Sequence, residues 1–485
     1  MQNPLGTMEL LKRLGVQVLR TSITWRNVVA PETVDFPTKP AFDATDPSAY
    51  PQPLWATFDA VDRAAAATGI RLYITLVGPA PLWAAGPGAP TKPSLAWRWR
   101  PSPADFGQFA QAAGTRYDGR YRPPGASSPL PRVSFWSIWN EPNYGTTLLP
   151  QATPDGTPIS PGLYRGLIDA AWEGLHASGH SPATDTILIG ETAPYGYDQP
   201  GEFGEMVPLK FIRALYCVGS DYQPLQGAAA TEIGCPASAT NFRSQNPGLF
   251  GASGWAAHPY TGGKPPTTLT SGFPLSADYA DFPALPRLEG ALDKVTAAYG
   301  SAARFPIYNT EFGFQTNPPN TGPSTVSPPL AARYMNEAEY LSWSWPRIRS
   351  FDQYELTDPS SGSKNNFDTG LEYASGAPKS SFDAYRMPLW LPLTTQRRNA
   401  RLEVWGCARG APVVQRHTGH PQEVQIQLAA HGRYQTLASV TLDPARDGCY
   451  FATHVHFPGS GSVRLAWRDG STTQYSRLQP ITADA

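Results

Sequence analysis

An α/β fold, a (β/α)8 TIM barrel with its first strand missing or rudimentary and a β-sandwich behind it, is predicted for this 485-residue chain. Three observations predict it. Short apolar runs alternate with helical patterns as far as Arg386, the signature of parallel βα units. Two of those runs are followed at once by a short polar segment containing a glutamate. After Met387 the helical periodicity gives way to short runs, several separated by Gly, Pro and Asp turns, as in a sandwich.

Thr7 caps a helix over 8–14, and Gly15 stops it. Strands follow at 16–25, 71–77, 133–139, 186–190, 253–258, 306–310 and 348–354. Between and after them lie helices at 54–67, 103–117, 163–175, 209–216, 285–299, 330–343 and 380–386. Glu141 follows the third strand of this series and Glu311 the sixth. If these are barrel strands four and seven, barrel strand one is either absent from this sequence or reduced to residues 2–5. An open barrel leaves strand edges exposed, so the C-terminal domain or another chain is expected to cover the gap. The barrel is assigned to residues 1–387, a proline-spaced linker to 388–400, and an immunoglobulin-like β-sandwich accessory domain, packed on the barrel, to 401–485. Its strands fall at 402–408, 423–428, 434–442, 449–457, 462–468 and 473–478.

Composition narrows the functional classes. Lys and Arg total 38 against 39 Asp and Glu, a net charge of -1, which offers nothing to nucleic acid or to an anionic membrane. No apolar run is long enough for a membrane-spanning helix. No G-x-S-x-G, H-E-x-x-H or P-loop pattern is present, so neither a cofactor nor a metal is expected. The cysteines form no CxxC. Their even number and their grouping along the chain suggest the pairs Cys217–Cys235 and Cys407–Cys449. Disulfides imply an oxidising compartment. The chain is therefore expected to be secreted or extracytoplasmic, its export signal absent from this sequence, the alternative being a cytoplasmic protein with free thiols.

The chemistry concentrates at the two glutamates. In Phe135-Trp136-Ser137-Ile138-Trp139-Asn140-Glu141-Pro142 a buried run ends abruptly in amide and carboxylate. Poor solvation at a strand end favours the neutral form of a carboxyl, which suits a proton carrier. Phe305-Pro306-Ile307-Tyr308-Asn309-Thr310-Glu311-Phe312-Gly313 repeats the design. Two carboxylates far apart in sequence but at strand ends of one barrel are the pair that glycoside hydrolysis uses.

Trp139-Asn140-Glu141-Pro142 and Thr310-Glu311-Phe312-Gly313 resemble the acid/base and nucleophile motifs of clan A retaining glycoside hydrolases. The resemblance spans about residues 8–386, and its style is that of family 39 and its neighbours, the β-xylosidase and α-L-arabinofuranosidase types. It implies that Glu141 is the acid/base and Glu311 the nucleophile. It further implies that Asn140 bonds the hydroxyl beside the anomeric carbon, that Arg20 supports the nucleophile, and that Tyr260, with His258 near it, donates to the nucleophile. Glu191, after the fourth strand, has no fixed place in that pattern and either binds hydroxyls or is ion-paired. Trp25, Trp83, Gln353 and Tyr354 are candidates for a sugar subsite, with core packing the alternative for each. The expected partner is an oligosaccharide or glycoside, and homo-oligomerisation stays open. Long loops at 86–93 and 317–328 would narrow the barrel mouth and favour exo action. A transglycosylase on the same residues, or a sugar-binding barrel without catalysis, are the rival readings.

Overall fold

The computed structural model describes residues 3–270, 277–359, 366–430, 432–446, 448–470 and 472–484. Seven parallel strands form one curled sheet: β1 (Val18–Thr24), β2 (Arg71–Val77), β3 (Phe135–Ile138), β4 (Thr186–Thr192), β5 (Gly254–Ala257), β6 (Ile307–Phe312) and β7 (Ile348–Gln353). Their spatial order is their sequence order. Each consecutive pair is bridged by helix, as right-handed βα crossovers require. The principal helices of this part are α1 (Pro4–Arg13), α2 (Gln52–Thr68), α3 (Pro103–Arg116), α4 (Ser160–Ala177), α5 (Pro208–Leu215), α6 (Leu285–Ala297), α7 (Pro328–Ser344) and α8 (Ser380–Arg386). All seven strands point the same way, so their C-terminal ends share one rim.

The local chemistry accounts for these elements. β3 and β5 are buried along their whole length, which is why they read as continuous apolar runs rather than alternating ones. Proline in the first helical turn starts α1 to α7, where a missing N–H costs nothing. Gly69 closes α2 in the left-handed conformation, φ 74°.

The sheet is an incomplete barrel. Among the described residues β1 and β7 do not pair with each other, and a cavity of about 600 Å³ lies between them. Arg409 and Tyr450, from the C-terminal part of the chain, stand among its walls. Residues 4 and 5, considered from sequence as a rudimentary first strand, are the first turn of α1 instead. Asn3 caps that helix through the amide of Gly6, and Pro4 fixes the helical φ at its start. Residue 2 lies outside the described residues.

The C-terminal part consists of β8 (Leu389–Trp390), β9 (Thr395–Arg397), β10 (Arg401–Cys407), β11 (Glu423–Ala430), β12 (Arg433–Thr441), β13 (Tyr450–His456), β14 (Gly461–Asp469), β15 (Thr472–Tyr475) and β16 (Gln479–Asp484). They form two sheets, ordered β13-β10-β8 and β12-β11-β14-β16-β9, with β15 against β14. One apolar core, including Leu402, Val404, Ile426, Phe451, Val463 and Leu465, serves both. β8 and β9 arise within the segment that reads as a linker. A helix, Ala411–Thr418, follows β10 in a stretch to which the sequence pattern assigns no element. Cys217 is bonded to Cys235, and Cys407 to Cys449.

The C-terminal sheets are anchored on α7. Arg409 forms an ion pair with Glu339, and the Tyr450 hydroxyl donates to the same carboxylate at 2.8 Å. Arg477 donates to Asn336 Oδ1 at 2.8 Å. Both charges of the Arg409–Glu339 pair are buried, with side-chain exposures of 5% and 1%. Removing one partner strands the other. Arg409→Met is expected to cost about 3 kcal/mol, measured as a lowered urea midpoint at unchanged slope.

Candidate active site

The rim at the C-terminal ends of the strands collects the charged residues. Arg20 is the third residue of β1 and Tyr73 the third of β2, and the two are register partners. Glu191 is next to last in β4, and Glu311 next to last in β6. His258 directly follows β5. Glu141 sits three residues beyond β3, on a turn with Trp139 at φ 67° and Glu141 itself at φ 41°. Left-handed backbone at two non-glycine residues is strained and persists only where packing imposes it. Here the Trp139 ring packs edge-on to Phe106 at 5.3 Å and lies over Gly78, where an added Cβ would stand 2.7 Å from it. The Glu141 amide bonds the Glu191 carbonyl at 2.9 Å. Buried Asn143 then ties this loop to the one after β4, bonding Ala193 and Met206.

Around these anchors the side chains form one network. Arg20 Nη1 donates to Glu311 Oε1 at 2.5 Å, and its Nη2 to Asn140 Oδ1 at 2.8 Å and Glu191 Oε2 at 3.2 Å. The Tyr260 hydroxyl donates to Glu311 Oε2 at 3.1 Å. His258 holds Nδ1 2.9 Å from Glu141 Oε1 and Nε2 2.7 Å from Glu191 Oε2. Its Nδ1 is also 3.6 Å from Glu311. Glu191 further accepts from the Tyr73 hydroxyl and from Thr310 Oγ1.

The electrostatics follow from burial and pairing. Burial opposes the imidazolium of His258, but the Glu311 charge and the bonds to Glu141 and Glu191 outweigh it, pushing its pKa up to about 10. Burial likewise opposes the charge of Glu191. Arg20 foremost, then His258 and Tyr73, hold it far below the usual carboxylate range. Desolvation raises Asp352, on β7, to about 7, with Arg20 working against the rise. Desolvation and the adjacent Glu311 carboxylate drive the Tyr260 phenol well above its ordinary value, so it stays a donor.

One oxygen each of Glu141 and Glu311 and one nitrogen of His258 lie within 4.8 Å of one another, a spacing that also suits a cation. Both His258 nitrogens already face carboxylate oxygens at hydrogen-bond distance. Glu141 and Glu311 open onto a cavity of about 450 Å³ with Asn140, Tyr144, Tyr195, Tyr260, Tyr354 and Phe367 in its walls. That volume lies within the range of small-ligand pockets, about 300–1,000 Å³. The larger cavity between β1 and β7 does not reach either glutamate; Tyr354 lines both cavities.

The residues singled out from sequence therefore divide. Asn140, Glu141, Tyr260, Glu311 and Tyr354 line the cavity, while Arg20 and His258 stand behind it, bonded to the two glutamates. Glu191 is not among the residues lining the cavity: its side chain has 0% exposure, so it does not meet a sugar. Trp25 and Trp83 are not a subsite either. They pack edge to face at 5.8 Å inside the core, with Trp25 stacked on Phe109. Gln353 turns its amide to the carbonyls of Tyr354 and Thr369. From the two loops expected to narrow the mouth, Ser324 reaches the cavity wall and no residue of 86–93 does. Besides Tyr260 and Tyr354, the aromatic residues in its walls are Tyr144, Tyr195 and Phe367, which carry no local sequence signal for it. Tyr73 and Thr310, which hold Glu191, were equally hidden as ordinary strand residues.

No family model matches this sequence, and no curated protein does. Solved structures resemble the fold at low identity. A β-glucuronidase of Bacteroides uniformis aligns with 100% of this chain and 43% of its own, at 12% identity and TM-score 0.43. The chain thus spans less than half the length of that protein. A glucosidase of Croceicoccus marinus aligns over 97% and 92% of the two chains, at 11% identity and TM-score 0.47. A family 1 β-glucosidase of Thermotoga maritima aligns over 78% and 84%, at 14% identity and TM-score 0.44.

Proposed function

We propose that this chain is a retaining O-glycosidase in which Glu311 is the nucleophile and Glu141 the acid/base. The observation that carries the reading is the approach of the two carboxylates across one cavity, with an oxygen of each within 4.8 Å. Retaining enzymes keep their carboxyl groups about 5–5.5 Å apart, whereas inverting ones need about 6.5–9.5 Å to admit a water.

Each residue has a role in that chemistry. Glu311 attacks the anomeric carbon while Glu141 gives its proton to the departing glycosidic oxygen. A glycosyl ester forms on Glu311. Glu141, now a carboxylate, takes a proton from water, and the hydroxide displaces Glu311. Arg20 and Tyr260 donate to opposite oxygens of Glu311 and hold the carboxylate in place for attack. Arg20 also donates to the Asn140 side-chain carbonyl, which leaves the amide NH2 for a sugar hydroxyl. The aromatic walls present flat apolar faces to the C–H side of a ring. A cavity of about 450 Å³ suits exo action on an oligosaccharide or glycoside, and the two disulfides suit an extracytoplasmic setting.

A panel of nitrophenyl pentosides and hexosides, pentosides first, tests this reading. Hydrolysis of at least one, with first-formed product of the substrate's own anomeric configuration by NMR, is the expected result. It should proceed unchanged in EDTA, because the two glutamates act without a cation. Inverted product, or loss of activity on chelation, would overturn the mechanism. Sugar binding with no turnover of any glycoside would overturn the enzyme reading.

A further inference from the structure

Glu191 is the residue that the chemistry above leaves unused, and its surroundings are built with care. The register of β4 against β5 shifts between Gly190 and Thr192, and Glu191 adopts φ 48°. The shift aims the carboxylate inward. Four donors converge on it from four strands or their ends: Arg20 from β1, Tyr73 from β2, His258 after β5 and Thr310 from β6. With 0% side-chain exposure it reaches neither solvent nor ligand.

His258 is caught between this carboxylate and Glu141. Its charged and titratable neighbours are Glu141 after β3, Glu191 on β4 and Glu311 on β6. Arg20 and Tyr73 act on it through Glu191. Glu191 accepts from every other neighbour, so it accepts from Nε2 as well. The Nε2 proton is thereby committed, and the imidazole has one further site, Nδ1, facing Glu141.

We propose that Glu191 is a positioning residue: a buried anion, closed to substrate, that locks His258 with Nε2–H turned inward, so that one proton is shared between His258 Nδ1 and Glu141 Oε1. This rests on the glycosidase reading for its use but not for its test. The shared proton has two addresses, as imidazolium beside carboxylate or as imidazole beside carboxylic acid. In the first half of the reaction it leaves through Glu141 to the glycosidic oxygen. The O–C bond breaks with its electron pair on the departing alcohol, and Glu311 forms the new bond to carbon. In the second half a water proton returns to the same pair while the hydroxide bonds to the anomeric carbon and the ester bond to Glu311 breaks, its electron pair returning to that carboxylate. No proton is gained or lost over the cycle. The raised pKa of His258 agrees with a ring that keeps this proton at rest.

The experiment is nitrogen NMR of the full chain labelled with [15N]histidine, with the His258 signals identified by their loss in His258→Gln. In the parent, Nε2 of His258 is expected to stay protonated from pH 5 to 9. Its Nδ1 is expected to lose its proton only toward the alkaline end. In Glu191→Gln the midpoint should fall by about one unit or more, toward the ordinary histidine value of about 6.5. The sign follows from removing an anion: the imidazolium then survives only at lower pH. On a substrate found by the glycoside panel, Glu191→Gln should lower kcat about a hundredfold, with KM held, because Glu191 touches no sugar. An unchanged His258 titration in Glu191→Gln would overturn the proposal, as would a raised KM with kcat intact. If Glu191→Gln does not fold, the parent spectrum decides alone, since a bare Nε2 at pH 7 also overturns it. The spectra need no substrate, so a failed panel sinks the glycosidase reading and leaves this one standing or falling by itself.

Discussion

Glu311→Gly is expected to reduce turnover of an aryl glycoside by about 10⁵-fold or more, and sodium azide to restore part of it. The site tolerates the deletion. Arg20 keeps Glu191 and Asn140 as partners, so no buried guanidinium is abandoned, and the phenol of Tyr260 lines the open cavity. The side chain removed stood between Arg20 Nη1 and the Tyr260 hydroxyl, two donors that then face a space fit for a small anion. Azide held there attacks the anomeric carbon from the face that Glu311 used. The product is a glycosyl azide of inverted configuration, because one displacement now occurs where two did. Proton NMR of that product is the measurement. Unimpaired hydrolysis in Glu311→Gly, or an azide of retained configuration, would remove Glu311 from its role.

The same residues show how much of this molecule was legible in its sequence. Buried parallel strands read as apolar runs whatever surrounds them, so β2 to β6 were found; β1 and β7, each with one buried residue, were found from their place between helices, and all seven have ends misplaced by a few residues at most. β8 is two residues long and β9 three, too short for any period to appear. They exist because neighbouring strands offer them hydrogen bonds, which is tertiary information. Polar residues at the ends of apolar runs were the readable part of the site, and Asn140, Glu141, Tyr260 and Glu311 do line one cavity. Aromatic residues away from the strand ends were not readable. Trp25 fills the core with no exposure, while Tyr144 and Phe367 line the cavity. A ring that buries area against leucine and one that would bury it against a sugar have the same local sequence. Glu191 is ion-paired, one of the two alternatives its sequence left open, and the choice between them was hidden for a related reason. A buried carboxylate is identified by its donors, and these come from residues 20, 73, 258 and 310.

Glu141→Gln should separate substrates by their leaving groups. The amide has the shape of the carboxylate and still accepts from His258 Nδ1, so the network loses a charge but not a partner. What it cannot do is donate a proton to a departing alcohol. General acid help is worth about 10²–10⁴-fold, and glycosides with poorly acidic leaving groups should lose activity on that scale. Dinitrophenyl glycosides depart without such help, so formation of the ester on Glu311 should be nearly normal for them. Their second step still needs Glu141 to draw a proton from water, so the ester should accumulate and appear as a burst of phenol followed by slow turnover. Azide, which needs no base, should speed that second step and give a glycosyl azide of retained configuration, opposite to the product from Glu311→Gly. A rate loss equal for all leaving groups, with no burst, would mean that Glu141 holds the sugar and does not move a proton.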